Sequence, residues 1–377
     1  MNYKALLFLC ITVGIFSCKP KEKTAAVNYD NFLNEYIDST VSPGEDFFKF
    51  AMGKWLKNNP IPESERSWGI WTLVNEENYS RIRKINEEAA ANTKAKKGSN
   101  EQKIGDFWFT GMDTVTIEKQ GITPLKPELD KIAAISDPQG VIKMASYLHT
   151  MQVQPLFGNY IFQDEKNSNK FRLHFYQGGI GLPDRDYYFD KDERTVTIRN
   201  EYVKHISKMF QLTGIDAATA DTYAQTIMKM ETDFAGASRK LADLRDPYAN
   251  YNSMAVADVN KLCPAINWES FLADAGIKNI DTIIVGQPEF FKQLNTSLTK
   301  ESVDNWKIYL QWNLINAYAD RLSSDFDKEH FHFYGTILNG TKEQRARWKR
   351  VLDAEEDAMG FLLGQLYVEA YYPPEAK

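Results

Sequence analysis

Apolar positions recur at helical spacing through most of the chain. Tyr223, Ile227, Met230 and Phe234 step by four, three and four, and Trp306, Tyr309, Leu310, Asn313 and Leu314 mark another helix of the same kind, so each stretch predicts a helix with one buried face. Phe47, Phe48, Ala51 and Trp55 mark a shorter helix. Its start is predicted at Ser42-Pro43-Gly44-Glu45, which supplies a hydroxyl cap, a first-turn proline and an acid. Pro60 and Pro62 then force an extended segment ending at Trp68-Gly69. The longest stripe runs through Trp348, Val351, Leu352, Met359, Leu362, Leu363, Leu366 and Tyr367. A capping box at Thr341 and Gln344 precedes it, predicting a helix of about eight turns that stops at Pro373-Pro374. One region breaks the helical pattern: between Val153 and Phe175, QPLFGNYIF and KFRLHFY flank a polar DEKNSN turn and predict a β-hairpin, with GLPDRDYYF leaving it as a rigid loop. The expected fold class is mainly α, a large helical domain with a small β-hairpin.

The first residues predict targeting rather than fold. Lys4 precedes an apolar run from Ala5 to Phe16 that is too short to span a bilayer, and Ile15-Phe16-Ser17-Cys18 resembles a bacterial lipobox. Residues 1–17 are then a signal peptide, Cys18 the lipidation site and residues 18–30 a polar tether. The expected location is the bacterial cell envelope, on a membrane. Phe16 departs from the commonest lipobox and leaves a cleaved signal peptide or an uncleaved anchor as alternatives. Acyl chains contribute roughly 0.8 kcal/mol per buried methylene, so a multiply acylated cysteine holds a protein durably on a membrane.

Cysteine and histidine usage narrows the chemistry. With Cys10 in the signal and Cys18 lipidated, Cys263 has no partner, so the mature chain is expected to rely on core packing rather than disulfides. The five histidines, His149, His174, His205, His330 and His332, include no pair four residues apart. A zinc helix of the H-E-x-x-H type is therefore missing, and no metal ligand or catalytic residue is assigned in this chain. Asp184, Asp186, Asp190 and Asp192 lack the glycine and terminal glutamate of an EF-hand loop and predict a solvated loop. A net charge of −6 with both signs interspersed gives no basic face, which excludes nucleic acid as the expected partner.

The order of the short motifs carries more than their periodicity. SPGEDFFKFAMGKW, IGDFWFTGMD, ITPLKPELDKI, GGIGLPDRDYYF, METDFA, RDPYANYN, CPAINW, YLQWNLI and RWKRVLDAEEDAMGFLLGQLYVEAYYPPEAK follow one another along the chain. In that order they resemble the blocks of the neprilysin and endothelin-converting-enzyme family of zinc metalloendopeptidases. The resemblance implies that residues 31–372 are that family's N-terminal helical domain, and that residues 373–377 begin a linker to a catalytic domain. It also implies zinc as the cofactor of the complete enzyme, oligopeptides as substrates, and a helical cap that encloses the catalytic cleft.

Family members continue for almost as much chain again, and that continuation carries the zinc helix. The expectation is a truncated or split gene, a partial sequence, or a protein that has lost its catalytic half. Its partner is then its own missing domain or a separate catalytic chain, and a non-catalytic lipoprotein that binds peptides or a partner is the alternative. The family commonly places an arginine before the Trp-Gly pair to grip a substrate carboxylate. Here Ser67 holds that position and Arg66 lies one residue earlier, so Arg66, Ser67 and Trp68 are the substrate-proximal candidates. Met52 replaces the usual asparagine of the same block.

Overall fold

The computed structural model describes residues 33–376. The expected signal peptide (residues 1–17), Cys18 and the expected tether through residue 30 lie outside the described residues. The chain divides into two compact units, one ending at Ile61 and one running from Pro62 onward.

In the first unit, helix α1 (Phe47–Asn58) is capped by Asp46, whose carboxylate accepts the Lys49 N–H at 2.9 Å. The helix thus begins later than the Ser42 motif predicts. A carboxylate is available four residues further on, and the Ser42 carbonyl instead closes a turn by accepting the Glu45 and Asp46 N–H groups at 3.0 and 3.1 Å. Trp55 is buried, but Phe47 and Phe48 in the first turn face outward.

The second unit holds the remaining helices. They are α2 (Ile70–Ala91), α3 (Asn100–Met112), α4 (Thr114–Gln120), α5 (Lys126–Ala133), α6 (Pro138–Thr150), α7 (Asp186–Phe189), α8 (Glu193–Leu212) and α9 (Ala217–Ala237). They continue as α10 (Val256–Leu262), α11 (Trp268–Asp274), α12 (Pro288–Lys300), α13 (Val303–Tyr318), α14 (Ser324–His330), a π-helical stretch (Phe331–Leu338) and α15 (Arg347–Tyr371).

Helices α2, α3 and α15 pack as a three-helix bundle with two small apolar cores, one around Ile85, Ala89, Ile104 and Leu363, the other around Trp108, Val351 and Leu352. Two glycines on α3 set how closely the helices approach. A Cβ at Gly105 would lie 2.6 Å from the Ala89 carbonyl oxygen of α2, and one at Gly111 would lie 2.6 Å from Val351 Cγ1 of α15. The IGDFWFTGM motif is therefore a packing device: Trp108 is buried in the bundle core with Phe107 packed against it, and its glycines let two neighbouring helices come within contact, while Phe109 faces outward. α15 starts at Arg347, six residues beyond Thr341 of the predicted capping box. Thr341 is buried with its N–H on the Gly335 carbonyl at 2.9 Å, and the Gln344 amide donates to Asp327 Oδ1 at 2.7 Å. Tertiary partners have taken both groups. The helix also bends at Met359, next to Gly360.

The larger body surrounds a core that reaches from Leu125 to Leu338. The predicted hairpin is present as β1 (Gly158–Asp164) and β2 (Asn167–Tyr176), and Asp164 accepts the Lys166 N–H at 2.9 Å in the turn. It belongs to a four-stranded sheet of order β1-β2-β4-β3, completed by β3 (Ser253–Ala255) and β4 (Thr282–Val285). β4 runs parallel to β2, with Leu173 opposite Ile283, and antiparallel to β3. Beneath the sheet Phe157 packs against Phe175, Trp268, Phe271 and Phe291 with ring centroids 4.8 to 5.5 Å apart. The stripes read from sequence lie on α9 and α13, where Ile227, Met230, Phe234, Trp306, Tyr309, Leu310 and Leu314 are all buried.

Candidate functional site

Arg66, Ser67 and Trp68 lie on the irregular segment leading into α2; the first two are exposed or partly so, and Trp68 is partly buried. The segment is laced to the stretch before α15. The Glu63 carbonyl accepts the Lys342 and Glu343 N–H groups at 3.1 and 3.2 Å, and Arg345 lies 3.5 Å from Glu65. Arg66 donates from Nη1 to Asn339 Oδ1 at 2.9 Å, so its guanidinium is engaged with a neighbouring loop. Directly after it, Ile70, Trp71, Leu73 and Val74 in the first turns of α2 are exposed, Trp71 by 82%. Phe361 on α15 is exposed by 93%, with Val368 and Tyr372 also outside. Several large side chains on two bundle helices thus face outward rather than into a core.

The surroundings of the histidines decide whether they could hold zinc. The fold brings His205 and His330 together, with ring centroids 6.4 Å apart, a proximity that their distance along the sequence conceals. His205 Nδ1 lies 2.9 Å from Glu329 Oε1, its ring stacks on Phe333, and burial pushes its pKa down. His330 likewise packs on Tyr334. Among the described residues no group of three or more His, Cys, Asp or Glu side chains is placed to hold a metal ion. These residues do not fit the zinc of the family. In the aspartate-rich loop, Asp184 accepts the Asp186 N–H at 2.8 Å and Asp192 caps α8 through the Thr195 N–H at 3.0 Å.

A buried polar cage in the body is absent from the sequence reading. Glu231 of α9 is buried, and its carboxylate accepts from Tyr188 Oη at 2.5 Å, from Tyr202 Oη at 3.0 Å and from the Gly181 N–H at 3.1 Å. Burial outweighs these three donors and pushes its pKa up to about 7. Trp312 Nε1 donates to Tyr202 at 3.3 Å, and the Tyr309 hydroxyl lies 2.6 Å from the carbonyls of both Pro155 and Gly179. This network pins the GGIGLPD loop to α9 and α13. The sequence did contain the signal: Glu231 sits four residues after Ile227 and three before Phe234, a charge on the apolar stripe. Cys263 is a buried small hydrophobe whose thiol is pushed up to about 12 by burial.

The comparisons with known proteins place these features in one family. The N-terminal-region model of Peptidase family M13 matches residues 43–377. Endothelin-converting enzyme 1 of Rattus norvegicus is 28% identical over 365 residues, covering 94% of this chain and 47% of that protein. Neprilysin-3 of Drosophila melanogaster is 27% identical over 362 residues, covering 90% of this chain and 46% of that protein. The crystal structure of the Mycobacterium tuberculosis zinc metalloprotease ZMP1 in complex with an inhibitor superposes with a TM-score of 0.86 at 29% identity, covering 90% of this chain and 52% of that one. The chain spans about half the length of the relatives it matches. Its matched residues, its mainly helical body with a small sheet and its bundle together show that the chain belongs to peptidase family M13, as the N-terminal region of a neprilysin-like metallopeptidase.

Proposed function

We propose that this chain is the substrate-enclosing helical portion of a lipid-anchored bacterial zinc endopeptidase acting on oligopeptides, with bond cleavage performed by a catalytic portion outside these residues. The observation that carries the reading is the exposed apolar surface of the bundle helices, where Trp71 of α2 and Phe361 of α15 are exposed by 82% and 93%. Such a surface is costly to leave in water and suits a large protein partner. The half-length coverage of zinc metalloproteases supports the same reading. Arg66, Ser67 and Trp68 border this surface in sequence and are proposed to lie near bound peptide. Cys18 is proposed as the acylated anchor that holds the protein at the cell envelope.

The test is peptide hydrolysis by purified residues 19–377, alone and mixed with a polypeptide carrying an H-E-x-x-H segment from the same source. Cleavage only in the mixture is expected. Chelator-sensitive cleavage by the chain alone overturns the division of labour, and tight peptide binding with no cleavage in either sample points to a binding lipoprotein. Palmitate labelling of the wild type but not of Cys18→Ser tests the anchor separately.

A further inference from the structure

A cavity of about 960 Å³ opens between the bundle and the body. The bundle contributes Phe107 and Arg347, and the body contributes Met151, Tyr318 and Arg321. Its volume lies in the range of cavities that hold small organic ligands.

The charges around it are unevenly matched. Arg350 is engaged: Nη1 lies 2.9 and 3.0 Å from the two Asp327 oxygens and Nε donates to the Arg345 carbonyl at 3.1 Å. Arg321 lies 3.9 Å from Asp320, which also lines the cavity, and its guanidinium sits over the Tyr318 ring, 5.7 Å from the centroid. Arg347 donates from Nε to the Gly111 carbonyl at 2.9 Å, which fixes the plane of its guanidinium, and its two terminal nitrogens have no protein acceptor among the described residues. Two of the nearby acids are committed elsewhere: Asp327 also takes the Gln344 amide and Glu118 accepts the Ser324 N–H at 2.7 Å. Burial and the Arg350 charge push the Arg347 pKa down in spite of Asp327 and Glu118, as expected of an under-compensated cation. The opposite sign appears further along α15, where Asp357 lines the cavity ten residues beyond Arg347, roughly 15 Å along the helix. Arg350 is matched by Asp327 and Arg321 is only partly offset by Asp320, which leaves Arg347 as the unmatched guanidinium with Asp357 at the far end; that balance suits a singly charged anion and disfavours a dianion such as phosphate or a dicarboxylate.

We propose that this cavity binds a monocarboxylate with an apolar body, its carboxylate held by the terminal nitrogens of Arg347 with Arg321 as the second cation, and its body against Phe107, Met151 and Tyr318. A guanidinium edge presents two parallel donors that match a carboxylate. Because both the bundle and the body line the cavity, the bound ligand bridges them. The inference stands on these residues alone and does not depend on the peptidase reading.

The test is calorimetric titration of the chain with four probes: acetyl-Phe-Leu as the free acid, acetyl-Phe-Leu amide, 3-phenylpropanoate and inorganic phosphate. The free acid is expected to bind at least about tenfold more tightly than the amide, a difference of about 1.4 kcal/mol. Arg347→Met should abolish that preference and Arg321→Met should weaken it several-fold. Arg321 is 51% exposed in its side chain, which makes no hydrogen bond among the described residues, so its variant keeps the test alive if Arg347→Met unfolds, as circular dichroism will report. Binding of 3-phenylpropanoate as tightly as the peptide acid assigns the site to free organic acids; binding of the peptide acid alone assigns it to peptide C-termini. Equal binding of acid and amide, no binding by either carboxylate, or tighter binding of phosphate overturns the proposal.

Discussion

Replacing Glu231 by glutamine should make the protein less sensitive to alkaline conditions. The folded carboxyl holds its proton up to about pH 7, against an unperturbed value of 4.5. Below about pH 4.5 the group is protonated in both the folded and the unfolded chain and costs nothing. Between about pH 4.5 and 7 the unfolded chain releases the proton while the folded chain keeps it, so stability falls as pH rises; above about 7 the full cost is present. At about 1.4 kcal/mol per unit, a rise from 4.5 to about 7 corresponds to about 3 kcal/mol. The side chain introduced by Glu231→Gln does not ionise, and its amide can accept from the Gly181 N–H and Tyr188 while donating to Tyr202, so the cage remains filled. Urea denaturation of both proteins should therefore show the wild type losing about 3 kcal/mol relative to Glu231→Gln between about pH 4.5 and 8. Glu355, also pushed up to about 7 by burial, is present in both proteins and cancels. A stability difference that stays flat with pH, within the ~0.5 kcal/mol scatter of additive effects, refutes the claim that burial dominates at Glu231.

Three further outcomes follow from the packing. Gly105→Ala should destabilise by about 1–3 kcal/mol because its methyl meets the Ala89 carbonyl at 2.6 Å, whereas Gly364→Ala on α15, with open space around the new methyl, should stabilise by up to about 1 kcal/mol in the same thermal melts. Tyr309→Phe removes the one hydroxyl shared by the Pro155 and Gly179 carbonyls and should cost about 1–3 kcal/mol, read by denaturant titration. Cys263 should resist iodoacetamide at about pH 8 in the native protein and react once unfolded, as peptide mass spectrometry will show; rapid native labelling contradicts its burial.

Much of the fold could be read in the sequence because its signals are local. The hairpin follows from apolar runs around a polar turn, and α9 and α13 from stripes whose members are mostly buried. Where the reading failed, a competing partner outside the motif decided the outcome. Thr341 and Gln344 form a good capping box, yet Gly335 and Asp327 claim them, and α15 begins at Arg347 without a side-chain cap. Ser42 lost the start of α1 to Asp46, a competition between two equally plausible caps four residues apart. β3 and β4, of three and four residues, carry too little alternation to be seen without knowing that β2 awaits them. The candidate sites divide the same way. Arg66, Ser67 and Trp68 could be singled out from a contiguous motif, while the cavity draws on residues from Phe107 to Ala358 and no short window contains it.

The parallel pairing of β2 with β4 also sets a timetable for synthesis. Leu173 has to wait for Ile283, so the hairpin emerges from the ribosome roughly a hundred residues before the strand that covers its inner edge. At about 5–20 residues per second that interval lasts about 5–20 s. During it the nascent chain displays an aromatic two-stranded ribbon with an open hydrogen-bonding edge, a template for pairing with other chains. Closing so long a loop is entropically slow as well, which makes this sheet a late event in folding and the β1–β2 hairpin the segment most in need of a chaperone while the rest of the body is made.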